Sequence, residues 1–102
     1  MTTDGRDPVI TELREQISST DRAIVELVNK RVDLVARIKR YKESRGMDFL
    51  DPDREQRMVA DLQRANGGPL SADGVERLLR DILDLVKDEL AAAEQPRLRR
   101  VQ

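Results

Sequence analysis

The sequence contains no histidine, no cysteine and no tryptophan, and only 2% of its residues are aromatic. A chain without Cys or His has no thiol nucleophile and no imidazole base, and we expect no zinc site and no other metal. If the protein is an enzyme, its reaction should therefore need little proton transfer.

Other classes are disfavoured by what the chain has little of. The formal net charge is −1, whereas a nucleic-acid-binding protein needs a clear basic excess. No apolar run approaches the length of a membrane span, and no segment resembles a signal peptide. We therefore expect no nucleic-acid partner, no membrane insertion and a cytoplasmic location.

The residues that are abundant favour helices. Charged residues make up 38% of the 102 residues, and strand-forming types are scarce. A chain of this length forms at most one small domain. We predict an all-α fold.

Capping signals divide the chain into three helices. Asp7-Pro8 and Asp51-Pro52 each provide an N-cap followed by Pro at the first helical position, and Ser71 is a third N-cap. Gly46 is suited to end the first helix. The predicted helices cover about residues 8–45, 52–65 and 72–92.

The rest of the chain is assigned to its ends. Residues 1–7 are polar and are predicted to be disordered, and residues 94–102 form a flexible basic tail. The helical domain then covers residues 8–93.

The first helix carries an apolar stripe with steps of three and four residues. We call it the α1 stripe; its members are Ile10, Leu13, Ile17, Ile24, Leu27, Leu34, Ile38 and Tyr41. At 1.5 Å per residue this helix is roughly 57 Å long, more than a domain of this size can cover alone. We therefore expect the helix to pack against a second copy of itself in a homodimer.

Cations interrupt or flank this stripe. The stripe's rhythm places Arg31 where a leucine is expected, which indicates either a register-setting polar residue of a coiled coil or an anion ligand. Lys42 follows eleven residues later, on the same face and about 16 Å away. Two such cations suit a small dicarboxylate. Arg14 lies roughly 25 Å from Arg31 along the axis, so only a partner helix could bring an Arg14 side chain to the same ligand.

The start of the second helix adds polar side chains. Asp51 is explained structurally as an N-cap, which is worth about 1 kcal/mol. Glu55 lies on the apolar face of that helix, next to Arg54. A carboxylate there can pair with a cation or accept hydrogen bonds from ligand hydroxyls.

Four segments together resemble the AroQ class of chorismate mutases, an all-helical family. The resemblance covers roughly residues 9–90. The segments are Leu13-Arg14-Glu15-Gln16-Ile17, Ile24-Val25-Glu26-Leu27-Val28-Asn29-Lys30-Arg31, Ile38-Lys39-Arg40-Tyr41-Lys42 and Asp51-Pro52-Asp53-Arg54-Glu55.

The resemblance implies a three-helix protomer with one long N-terminal helix, in an intertwined homodimer with shared sites. It also implies a cofactor-free rearrangement of chorismate to prephenate. Arg14 of the partner subunit and Arg31 would each bind a carboxylate, and Lys42 would reach the ether oxygen. Asp51 and Glu55 would hold the ring hydroxyl region, with Arg54 in support.

The third helix departs from the family pattern. Members usually place a small polar residue and then, four residues later, Gln or Glu that helps bind the ether oxygen. In this sequence those positions are Val86 and Leu90, and neither side chain can donate a hydrogen bond. Either Lys42 binds the ether oxygen alone, or a neighbour such as Lys87 or Glu89 contributes.

The departure leaves other functions open. One is a mutase acting on 4-amino-4-deoxychorismate, and another is an isochorismate–pyruvate lyase on the same fold. A non-enzymatic alternative is a helical dimer that acts as a coiled-coil regulator or binding module. A partner enzyme of the same pathway is also possible.

Overall fold

The computed structural model describes residues 7–94, and these form three α-helices without a strand. The helices are α1 (Pro8–Ser44), α2 (Pro52–Ala65) and α3 (Ala72–Ala93). The predicted all-α fold with one long N-terminal helix is confirmed, and each predicted helix limit lies within one residue of the observed one. Of the terminal segments predicted to be disordered or flexible, residues 1–6 and 95–102 lie outside the described residues.

The caps explain where α1 begins and ends. The Asp7 carboxylate accepts a hydrogen bond from the backbone N–H of Val9 at 2.8 Å. At the other end Gly46 has φ +67°, a left-handed conformation that glycine adopts without steric cost. The N–H of Met47 then donates to the Lys42 carbonyl at 2.8 Å, and this hydrogen-bonded turn satisfies a carbonyl that the helix leaves unpaired.

The two shorter helices are capped in the same way. Asp51 accepts from the N–H of Arg54 at 3.1 Å at the start of α2. Ser71 accepts from the N–H of Gly74 at 3.0 Å at the start of α3. Between them, the Asn66 side chain binds both the Gly68 N–H and the Leu70 carbonyl, which fixes the connection.

The chain divides into two compact units, residues 1–31 and residues 32–102. The described part of the first unit consists of Asp7 and α1 residues alone, and none of them is buried. The second unit contains the last part of α1 together with α2 and α3.

The core of the second unit lies between α2 and α3. Val59 of α2 packs with Val75 and Leu79 of α3 in one buried cluster. The buried side chains of α3 recur at helical spacing and are Val75, Leu79, Leu83, Val86 and Leu90. The same face therefore includes both positions at which the sequence departs from the family pattern.

No helix in residues 7–94 is long and apolar enough to cross a membrane.

Candidate active site

The eight candidate site residues divide between the two units. Arg14 and Arg31 belong to the first unit. The other six belong to the second unit: Lys42, Asp51, Arg54, Glu55, Val86 and Leu90.

Lys42 lies in the last turn of α1 and is half-buried. Its ammonium donates to the backbone carbonyl of Phe49 at 3.4 Å. The backbone of Lys42 also anchors the turn that ends α1, through the Met47 contact given above. Lys42 therefore contacts the connection to α2 twice, through its side chain at Phe49 and through its backbone at Met47.

The first turn of α2 presents a carboxylate towards α3. Glu55 and Lys87 form an ion pair with an Nζ–Oε2 distance of 3.1 Å, and the same ammonium lies 3.4 Å from Oε1. Their side chains are 24% and 37% exposed. Asp51 and Arg54, one turn or less away, are exposed. Asp51 is the N-cap of α2, which is the structural role expected from the sequence.

Val86 and Leu90 face the interior of the second unit. They are 2% and 8% exposed, so both lie on the buried side of α3. Their predicted role in lining a substrate site stays a prediction. Neither offers a hydrogen-bond donor, and the adjacent Lys87 is the α3 side chain that the structure places on Glu55.

Lys39 joins α1 to Glu94, the C-cap residue of α3. No prediction from the sequence singled out this lysine. Its ammonium pairs with the Glu94 carboxylate and lies 5.6 Å from the centre of the Phe49 ring. The hydrogen bond from Lys39 to Glu94 raises the pKa of this lysine. The two partners are separated by 55 residues. No local sequence signal indicates such a pair.

The two arginines of the first unit lie on α1. Arg14 is exposed and lines a shallow hollow together with Thr11, Glu15, Ser18 and Arg22. Arg31 is half-buried. The predicted roles of the two arginines as carboxylate ligands stay predictions.

The second unit therefore contains a cation, Lys42, that contacts the Phe49 carbonyl, and a carboxylate, Glu55, that contacts Lys87. Such a set can bind and polarise an anionic ligand, and it contains no thiol or imidazole. In residues 7–94 no three His, Cys, Asp or Glu side chains are grouped so as to hold a metal ion.

Comparison with known proteins identifies the family. A model of the family described as chorismate mutase type II matches residues 13–89. The chain belongs to the type II chorismate mutase family. The match contains seven of the eight candidate residues within its interior, and the eighth, Leu90, follows it directly.

Solved structures agree with this family assignment. The chorismate mutase of Thermus thermophilus, form I, is 31% identical, with a TM-score of 0.74 over 76% of this chain and 96% of that chain. Form II of the same protein is 32% identical, with a TM-score of 0.75 over 78% of this chain and 90% of that chain.

The curated relatives of this member of the chorismate mutase family are much longer than the chain itself. The T-protein of Enterobacter agglomerans is 35% identical over 75 residues, which are 72% of this chain and 20% of that protein. The bifunctional chorismate mutase/prephenate dehydratase of Pseudomonas aeruginosa is 32% identical over 89 residues, which are 82% of this chain and 23% of that protein. The chain thus spans about a fifth of the length of the curated relatives it matches.

Proposed function

We propose that this protein is a chorismate mutase that converts chorismate to prephenate in aromatic amino acid biosynthesis, in the cytoplasm. The observation that supports this best is the likeness to the Thermus thermophilus chorismate mutase, which extends over 96% of that chain. The long relatives include further segments, whereas this comparison matches a chorismate mutase over nearly its whole length.

The proposed mechanism follows from the side chains present. The rearrangement breaks one C–O bond and forms one C–C bond in a single cyclic movement of electrons, so it needs neither a nucleophile nor a proton shuttle. It does need a flexible dianion held in its reactive conformation. Arg31 and Arg14 of the partner subunit bind the two carboxylates in this proposal.

Lys42 supplies the electrostatic part of the mechanism. Negative charge grows on the ether oxygen as the C–O bond breaks, and a fixed ammonium there stabilises the transition state more than the ground state. The Phe49 carbonyl accepts a hydrogen bond from Lys42, which limits the movement of this cation. In the proposal the ammonium exchanges or shares this contact when the substrate binds.

The proposal includes an intertwined homodimer. Most of the α1 stripe is exposed in the single chain, including Leu13, Ile17, Ile24 and Leu27. An apolar surface of this length is unfavourable in water, and a second α1 of the same pattern complements it. Such a dimer also brings a second Arg14 to each site.

A partner enzyme of the same pathway belongs to the proposal as well. The Pseudomonas aeruginosa relative is named as bifunctional, with prephenate dehydratase as its second activity. An enzyme that consumes prephenate is therefore the kind of partner we expect for this chain.

A second candidate is mutase activity on 4-amino-4-deoxychorismate. The observation that favours it is the apolar pair Val86 and Leu90 on the buried face of α3, where the family usually has polar side chains. An altered wall of the site is consistent with an altered substrate. The isochorismate–pyruvate lyase and the non-enzymatic dimer are the remaining alternatives.

One experiment separates these functions. The pure protein is incubated separately with chorismate, isochorismate and 4-amino-4-deoxychorismate, and each product is identified by chromatography and mass spectrometry. We expect prephenate from chorismate. Release of pyruvate from isochorismate indicates the lyase. The absence of turnover with all three, in a folded dimer, supports the non-enzymatic alternative.

A further inference from the structure

The Glu55–Lys87 pair is unlike the ion pairs within single helices. Arg80 and Glu76 lie one turn apart on α3, and their side chains are 47% and 45% exposed. Glu55 and Lys87 are 32 residues apart, connect α2 with α3, and are 24% and 37% exposed. A pair that is less exposed to water is screened less, so its charges influence nearby groups more strongly.

The position of the pair relates it to the proposed site. Glu55 is the carboxylate proposed to hold the ring hydroxyl region. Lys87 follows Val86 directly on α3, at the wall where the polar side chains of the family are absent. The ammonium lies 3.1 Å and 3.4 Å from the two oxygens of the Glu55 carboxylate, so it restricts the rotation of this group and offsets its negative charge.

We propose that Lys87 is a positioning residue which, through its ion pair with Glu55, sets the preference for a neutral hydroxyl over an ammonium on the substrate ring. This inference rests on the proposed function. It concerns the ring carbon that bears a hydroxyl in chorismate and an amino group in 4-amino-4-deoxychorismate.

This preference follows from the sum of the charges. An unpaired Glu55 presents one full negative charge, which attracts an ammonium more strongly than a hydroxyl. Paired with Lys87, the two side chains sum to zero, but the carboxylate keeps lone pairs that accept a hydrogen bond from a hydroxyl. The Lys87 ammonium also repels a second ammonium brought to the same carboxylate. Lys87 thus favours chorismate over its amino analogue.

The test compares Lys87→Met with the wild-type protein. The ratio of kcat/KM for chorismate to kcat/KM for 4-amino-4-deoxychorismate is measured at neutral pH. We expect this ratio to fall about fivefold or more, the size of effect typical of coupled side chains in contact. Lys87→Arg keeps the charge and should keep most of the wild-type ratio.

Two further variants distinguish specificity from a structural effect. In a Glu55→Gln background, Lys87→Met should change the ratio less than it does in the wild-type protein, because Glu55 no longer holds the Lys87 ammonium beside the ring substituent. Arg80→Met removes the Arg80–Glu76 pair on the same helix and should leave the ratio unchanged. If Lys87→Met does not fold, Lys87→Gln, which is also neutral but polar, is measured in its place.

The outcomes separate this inference from the proposed function. Calorimetric affinities for the two compounds, measured in a Lys42→Met background in which turnover is slowed, give the same comparison for binding alone. If the wild-type protein neither binds nor converts either compound, the proposed function fails and the inference fails with it. If it does bind or convert them, and Lys87→Met changes both values by the same factor, the proposed function stands and the role of Lys87 in specificity is overturned.

Discussion

The helices α1 and α3 are both amphipathic, but within the described residues only α3 has buried side chains on its apolar face. α3 has 22 residues and buries five of them, whereas none of the 37 residues of α1 is buried. Helical spacing of apolar residues therefore predicts which face avoids water, but not which molecule covers it. For α3 the cover lies within the second unit; for α1 we propose a second copy of the chain.

The strongest test of this difference places a charge at an exposed leucine of α1 and compares it with the same change on α3. Leu27 of α1 is 65% exposed and Leu85 of α3 is 46% exposed. We predict that Leu27→Asp destabilises the dimer by about 3–5 kcal/mol per chain, because it buries an unpaired carboxylate in the interface. Leu85→Asp, which lies outside the proposed α1 interface, is the matched control and should have little effect.

Sedimentation and circular dichroism measure both variants. We expect Leu27→Asp to lose the dimer and much of its helicity at micromolar concentration, and Leu85→Asp to resemble the wild-type protein. A wild-type protein that is a stable folded monomer, or a Leu27→Asp variant as stable and as large as the wild type, contradicts the proposed interface.

A smaller effect is expected on the buried face of α3. Leu90→Gln places an amide where the family usually has a donor, and we predict that the protein stays folded and turns chorismate over faster, by up to about a hundredfold. Broadened substrate acceptance is an equivalent outcome. Leu83→Gln, at another buried α3 position, is the control and should only destabilise.

Thermal unfolding and kcat per folded protein distinguish two roles for Leu90. A buried amide without a partner costs about 1–3 kcal/mol. If Leu90→Gln loses stability to this extent and its turnover is unchanged, Leu90 belongs to the core alone and the missing donor lies elsewhere, at Lys87 or Glu89.

The smallest effect concerns the contact between Lys39 and Glu94. The folded-state pKa of Lys39 is raised above the ordinary value of 10.5, so the pair stabilises the fold below that pH and the stabilisation is lost as the pH rises through the folded-state pKa. Lys39→Met should therefore lower Tm slightly at about pH 8, and the difference from wild type should shrink above pH 10.5. A difference in Tm that does not depend on pH would mean that packing against Phe49 dominates.

The limits of the helices can be predicted from the sequence because single capping residues specify them. Asp7, Asp51 and Ser71 are caps whose side chains satisfy backbone N–H groups within three residues, and Gly46 provides the one conformation that ends α1. Such signals act within one helical turn. For this reason the helix limits follow from the sequence almost to the residue.

The contacts between helices are harder to predict from the sequence. Leu78 and Leu79 are adjacent and equally apolar, yet Leu79 is buried and Leu78 is exposed. Only the packed structure fixes the rotation of α3 finely enough to show this. The Glu55–Lys87 and Lys39–Glu94 pairs depend on the same rotation. The shared site is harder still to predict from the sequence, since it depends on how two chains associate. It stays a prediction.

Each proposed site uses Arg31 of one chain and Arg14 of another, and mixing two inactive variants shows whether the two arginines serve one site. Arg14→Ala and Arg31→Ala are each expected to be nearly inactive, because each loses a carboxylate ligand from both sites. After they are unfolded and refolded together in equal amounts, random pairing makes roughly half of the dimers mixed, each with one intact site. Half of the dimers with one of two sites intact should recover about a quarter of wild-type activity. No recovery, with mixed dimers shown to be present by mass spectrometry, would contradict it.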